Sequence, residues 1–226
     1  MKYTIATLKK WNIDNACELQ KNRPNNDIQI ITSKGELTSG RLGGSEYVFF
    51  PHWSYLIPED IFARFNCIVF HMTDLPYGRG GSPLQNLIAR GHSSTKISAI
   101  RVTGELDGGD VYMKRELSLY GGAEEIYMRA SKLVFADMIP FILDNRPEPV
   151  PQTGSAVVFE RRKPTDSELS TEMSIERIFD HIRMLDADGY PPAYVRFGGY
   201  VMEFARPKLT SGGIAADVKI RRADYD

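Results

Sequence analysis

Short apolar runs separated by turn-forming clusters recur along the first 150 residues, with longer amphipathic runs between them. Tyr3–Leu8, Asp27–Thr32, Tyr47–Phe50, Cys67–Phe70, Lys96–Val102 and Val111–Leu117 have the length and β-branched or aromatic content of strands. Ile13–Gln20 carries apolar residues at helical spacing, and Pro58–Arg64 opens with two carboxylates that suit a helix N-terminus. Glu124–Leu143 places Ile126, Ala130, Leu133, Val134, Met138 and Ile142 on one face, which predicts one long amphipathic helix. Strands alternating with helices predict an α/β domain. Asn145–Thr153, holding Pro147, Pro149 and Pro151, reads as a semi-rigid linker. Beyond it, a strand at Ala156–Phe159 and a helix capped by Ser174 predict a smaller α+β region. The division expected is therefore 1–150 and 151–226.

The chemistry concentrates in Phe70–Leu87, F-H-M-T-D-L-P-Y-G-R-G-G-S-P-L-Q-N-L. His71 stands at the carboxyl end of an apolar strand, where open α/β sheets place their ligands. Leu75-Pro76 ends any regular element. Gly78, Gly80 and Gly81 around Arg79 predict a sharp turn that lets backbone approach a ligand, and Ser82-Pro83 predicts a helix start with serine as N-cap. A second glycine-rich loop follows at Gly104-Glu105-Leu106-Asp107-Gly108-Gly109. The loop Ser33–Glu46 holds four glycines but no G-x-G-x-x-G after a strand, so no dinucleotide is expected.

The stretch H-x-x-x-L-P-x-x-R-G-x-x-P from His71, with Leu106-Asp107-Gly108-Gly109-Asp110 placed so that Asp107 follows His71 by 36 residues, resembles the formyltransferases that use 10-formyltetrahydrofolate. The family includes methionyl-tRNA formyltransferase and sugar N-formyltransferases. The resemblance implies a Rossmann-like catalytic domain over 1–150, a small C-terminal subdomain over 151–226, and one-carbon transfer to an amine. It implies His71 as acid–base group with Asp107 beside it. Trp53, Tyr55 and Ile57, on the loop after Tyr47–Phe50, would wall a pterin pocket, with Gly104, Leu106 and Arg79 also toward the folate. Gly80, Ser82, Asn86, Arg161 and Tyr190 are the residues expected at the acceptor; Tyr194 and Phe197 are further candidates for stacking on its base. The sequence departs from the family where an oxyanion-donating asparagine usually precedes the histidine by two residues: here stands Val69. Asn66, Thr73, Ser82 and Asn86 carry donors, and the sequence does not choose among them. His52, a lone histidine beside a strand end, reads as structural.

Composition narrows the acceptor. With 28 Lys+Arg against 29 Asp+Glu the net charge is −1, which speaks against a general nucleic-acid binder. That balance, and the short region after the linker, turn the expectation from tRNA to a nucleotide-linked amino sugar. The pattern from Phe70 to Leu87 resembles the pseudaminic-acid-type enzymes, whose acceptor is a UDP-linked 4-amino-4,6-dideoxy sugar. A dTDP-linked 4-amino or 3-amino sugar is the alternative, and a folate- or nucleotide-binding protein that has lost catalysis is another. Arg161-Arg162-Lys163 is a candidate diphosphate patch against the commoner reading of a solvated face. The resemblance also implies a homodimer. Cys17 and Cys67, the only cysteines, make neither a disulfide framework nor a zinc site. The N-terminus lacks a signal-peptide core and no apolar run approaches bilayer length, so a cytoplasmic protein without metal is expected.

Overall fold

A computed structural model of the chain describes residues 1–223. In chain order it holds β1 (Lys2–Ala6), α1 (Lys10–Asn22), β2 (Asp27–Ile31), α2 (Ser39–Leu42), β3 (Tyr47–Phe50), α3 (Glu59–Phe62), β4 (Asn66–His71), β5 (Tyr77–Gly80) and α4 (Pro83–Ala89). There follow β6 (Ser94–Arg101), β7 (Val111–Ser118), α5 (Ala123–Leu133), a π turn (Val134–Met138), α6 (Ile139–Asn145) and β8 (Val157–Phe159). The last elements are α7 (Ile175–Arg183), β9 (Ala193–Phe197), β10 (Tyr200–Thr210) and β11 (Gly213–Arg222).

Six strands form one sheet in the order β2-β1-β3-β4-β6-β7. β1, β2, β3 and β4 are mutually parallel where they pair, and β4 meets β6 antiparallel with His71 opposite Ser98. This is a Rossmann-like mixed sheet, and β11-β10-β9 form a second, antiparallel sheet. Parallel strands covered on both faces read as continuous apolar runs, and all four residues of β3 are buried. Tyr3, Ile5, Phe49 and Ile68 are fully buried within this sheet. Burial pushes the Cys67 thiol up to about 12, so this thiol sits in the sheet core as a small apolar group.

The chain separates into two compact units, the first made of residues 1–80, 96–117 and 128–158 and the second of 81–95, 118–127 and 159–223. No helix among the described residues is long and apolar enough to cross a membrane.

Several local readings change. Tyr77–Gly80 is not a sharp turn but a strand paired with β8, although Gly78 and Gly80 do take positive φ of 81° and 97°. Ser82 does not cap α4: it sits in the left-handed region (φ 50°, ψ 50°), while a capping serine needs extended backbone. Its Oγ instead accepts the Arg162 N–H at 3.1 Å. The long helix is interrupted by the π turn just before Pro140, because proline cannot donate to the preceding turn and its ring crowds that carbonyl. The proline-rich stretch is stitched down, since Val150 and Val111 exchange both backbone hydrogen bonds at 2.8 and 2.9 Å. Ser174 does cap α7, accepting the Arg177 N–H. The hairpin β10–β11 escaped the sequence reading; its signal was the Ser211-Gly212-Gly213 turn between alternating runs.

Candidate active site

β4 carries His71 as its last residue, so the imidazole leaves the sheet where the strand's hydrogen-bonded ladder stops. The ring is fixed from two sides. Nε2 lies 2.7 Å from the Gly78 carbonyl oxygen, and because a carbonyl only accepts, Nε2 carries the hydrogen. Nδ1 is then the basic nitrogen, and it faces Asp107 Oδ2 at 3.6 Å. Both side chains are largely withdrawn from water, His71 being 9% and Asp107 15% exposed. A proton arriving at Nδ1 would therefore make an imidazolium beside a carboxylate in poorly screened surroundings.

Asp107 is held as firmly as the histidine. Its Oδ2 accepts the Gly80 N–H at 2.9 Å, which ties the loop after β6 to β5. Its backbone has φ 51°, a left-handed conformation that aspartate tolerates better than most residues. Two residues on, a Cβ on Gly109 would lie 1.8 Å from the Arg101 carbonyl oxygen, so only glycine lets the loop close there.

Gln152, which the sequence does not single out, bonds to this loop at two places. Its Nε2 donates to the carbonyls of Asp107 and Gly109, both at 2.8 Å, and its Oε1 accepts from Arg79 Nε at 3.1 Å and Nη2 at 2.9 Å. The remaining arm of Arg79 pairs with Glu105. A glutamine after a proline-rich stretch carries no local signal of such a place. Arg79, expected toward the folate, thus spends its guanidinium on Gln152 and Glu105.

The other expected folate residues are less drawn together. Trp53 and Ile57 pack against the cluster of Ala6, Ile31, Leu42, Phe50 and Ile61. The Trp53 ring meets Phe50 and Tyr55 edge-on, and its buried Nε1–H has no hydrogen-bond partner. Tyr55 is half exposed beneath Lys34 Nζ, Leu106 projects into solvent, and Gly104 has open space around it. Among the four donors considered for the oxyanion, Asn66 gives its amide to Glu46 at the opposite end of β4, and Thr73 gives its hydroxyl to Gly78. Val69 packs against Leu75, Ile100 and Val111.

Ser82, Asn86, Arg161 and Tyr190 belong to the second unit. There, Asn86 Nδ2 donates to the carbonyls of Gly81 and Glu160, and Gly81 packs directly on the Arg161 backbone. Tyr190 stacks on Tyr127 and shares a 2.7 Å hydroxyl contact with it. Arg161-Arg162-Lys163 is not one basic face: Arg162 turns inward, and burial lowers the pKa of its guanidinium. Tyr194 lies under Arg196, while Phe197 is 68% exposed.

His52 is structural in geometry, its ring edge-on to Trp11. Burial, with Lys9 nearby, lowers its pKa to about 4. The folded state therefore disfavours His52 protonation while the unfolded chain protonates near pH 6.5. Stability is expected to be full above pH 6.5 and to fall as pH drops toward 4. Urea midpoints across this range should decline, and less so in His52→Gln.

Comparison with known proteins gives the family. A solved structure of a methionyl-tRNA formyltransferase from Clostridium thermocellum superposes with a TM-score of 0.97 at 54% identity, covering 99% of this chain and 100% of that one. This chain belongs to the methionyl-tRNA formyltransferase-like family. Residues 164–221 match the family model described as the methionyl-tRNA formyltransferase C-terminal domain. The curated methionyl-tRNA formyltransferase of Bacillus cytotoxicus is 26% identical over 156 residues, 66% of this chain and 49% of that protein. This formyltransferase-family chain thus spans about half the length of the curated relatives it matches. HypX from Aquifex aeolicus, solved in complex with tetrahydrofolic acid, shares the fold at 12% identity and a TM-score of 0.75, over 98% of this chain and 44% of that one.

These findings overturn the expected acceptor. The solved relative at 54% identity is named for methionyl-tRNA, so the UDP- and dTDP-sugar acceptors, the pseudaminic-acid assignment and the exclusion of nucleic acid do not stand. The net charge misled because it averages over the chain. Residues 193–222 hold six bases (Arg196, Arg206, Lys208, Lys219, Arg221, Arg222) against two acids, Glu203 and Asp217, and the remainder is acidic.

Proposed function

We propose that this chain transfers the formyl group of 10-formyltetrahydrofolate to the amine of a methionyl-tRNA. The observation that carries the reading is the partly buried His71–Asp107 pair, with Nε2–H committed to Gly78 and Nδ1 left as base. The acceptor amine must attack as the neutral form, and His71 Nδ1 takes the proton it sheds. Carbon–nitrogen bond formation at the formyl carbon gives a tetrahedral oxyanion. Its collapse breaks the bond to folate N10, and His71 returns the proton to that leaving nitrogen. Asp107 stabilises the imidazolium between the two transfers. Val69 offers no donor to the oxyanion, so this part of the catalysis falls to groups other than the side chain at that position.

Two features of β9–β11 support a tRNA acceptor: the excess of bases, and the exposed rings of Phe197 and Tyr200. A cytoplasmic location belongs to the same reading, and the lack of any membrane-spanning helix among the described residues is consistent with it.

The test is tetrahydrofolate release from 10-formyltetrahydrofolate with methionyl-tRNA, uncharged tRNA and UDP- or dTDP-linked amino sugars in parallel. Release with methionyl-tRNA alone, at a KM that rises with salt, supports the reading. Release with a sugar acceptor only, or folate binding without transfer to any acceptor, overturns it.

A further inference from the structure

We infer that Gln152 is a positioning residue for the Asp107 carboxylate, an inference that rests on the acid–base reading of His71 and Asp107 above. A primary carboxamide has two N–H donors and an oxygen with two lone pairs. Here all four are used: both donors on the Asp107 loop, at the carbonyls of residues 107 and 109, and both acceptor sites on Arg79 of β5. The side chain therefore clamps the loop to the strand whose Gly78 carbonyl holds His71 and whose Gly80 N–H holds Asp107. Arg79 closes the same clamp from its other arm through Glu105.

Gln152 is itself anchored. It lies two residues beyond Val150, which is bonded in both directions to Val111 at the start of β7. The loop it grips has little freedom, with Asp107 in the left-handed region and Gly109 against the Arg101 carbonyl. A small rotation of the 107 peptide would swing the carboxylate from its 3.6 Å station beside His71. Misplacing a catalytic group by about 1 Å can cost roughly 100-fold in rate.

Glutamate at 152 separates the two halves of the clamp. It is isosteric and can still accept from Arg79, but it cannot donate to the two loop carbonyls and would repel them. The experiment compares wild type, Gln152→Glu, Gln152→Ala and Asp107→Ala by steady-state formyl transfer to methionyl-tRNA and by amide hydrogen exchange at Gly80. The expected result is a 10- to 100-fold fall in kcat in both Gln152 variants, with KM for 10-formyltetrahydrofolate within about twofold. Gly80 exchange should accelerate in all three variants, because its acceptor is displaced or removed, while core amides of β1 and β3 stay protected.

Unchanged kcat and unchanged Gly80 protection in Gln152→Glu overturn the inference. So does a rise in folate KM with kcat kept, which would make Gln152 a binding residue through Arg79. Loss of protection throughout the first unit in both Gln152 variants also overturns it, as a general structural role. If wild type transfers to no acceptor, the reading of function fails, and Gly80 exchange still decides whether Gln152 holds Asp107.

Discussion

His71→Ala lowers kcat for formyl transfer by about 10²–10⁴-fold, the usual contribution of a positioned general acid–base group. The loss should fall on kcat, because the ring's contacts are to Gly78 and Asp107, while Trp53 and Tyr55, the aromatics proposed for the folate, lie on another loop. The remaining activity should rise with pH in a way that wild type's does not, since without a base the reaction depends on the fraction of acceptor amine already neutral. His71→Gln is a useful companion: its amide can still donate to the Gly78 carbonyl but cannot take a proton at neutral pH. If His71→Gln retained most of wild-type kcat, the hydrogen bond to Gly78 would matter and proton transfer would not. Single-turnover formyl transfer at saturating methionyl-tRNA is the measurement.

Asp107→Asn is expected to cost about 10²–10³-fold in kcat with little change in either KM. Asparagine keeps the size of the side chain and an oxygen that can accept the Gly80 N–H, so the loop should hold. What is lost is the negative charge 3.6 Å from Nδ1. Two unit charges about 4 Å apart interact by roughly 4 kcal/mol at an effective dielectric of about 20, which bounds the effect near 10³-fold. Asp107→Ala should do further damage by freeing the Gly80 amide as well. An Asp107→Asn enzyme with wild-type kcat would remove the carboxylate from the mechanism and leave it a structural acceptor for Gly80.

The pair was legible in the sequence because its chemistry is tied to local backbone. A histidine that ends an apolar strand follows from the pattern of a few neighbouring residues, and Asp107 was placed beside it by the resemblance of two short motifs to the family's. Neither Gln152 nor the commitment of Arg79 was legible in that way. Their hydrogen bonds join residues 73 positions apart, and nothing near residue 152 in sequence marks it as anything but the end of a proline-rich stretch. Arg79 illustrates the converse: its glycine neighbours suggested a turn open to ligand, but β8 pairs with that segment and makes it a strand. Ser82 failed as a cap for the same reason, since its backbone conformation is set by packing against the chain at Arg162 and not by the helix it precedes.

The acceptor shows how far composition reaches. A net charge of −1 is a property of the whole chain, whereas recognition depends on where charges lie. Residues 193–222 hold six bases against two acids, and the average over 226 residues hides it.

By itself the sequence determined the α/β class, the strands that build the parallel half of the sheet, the family resemblance and the two residues, His71 and Asp107, that the fold sets side by side. These are set by periodicity and by short motifs whose backbone demands are local. Only the tertiary structure decided which nitrogen of His71 meets the Gly78 carbonyl, what Arg79 binds and which residue bonds to the Asp107 loop. Each depends on hydrogen-bond partners far away in the chain, and a partner's identity is fixed by the folded path, not by the residues on either side.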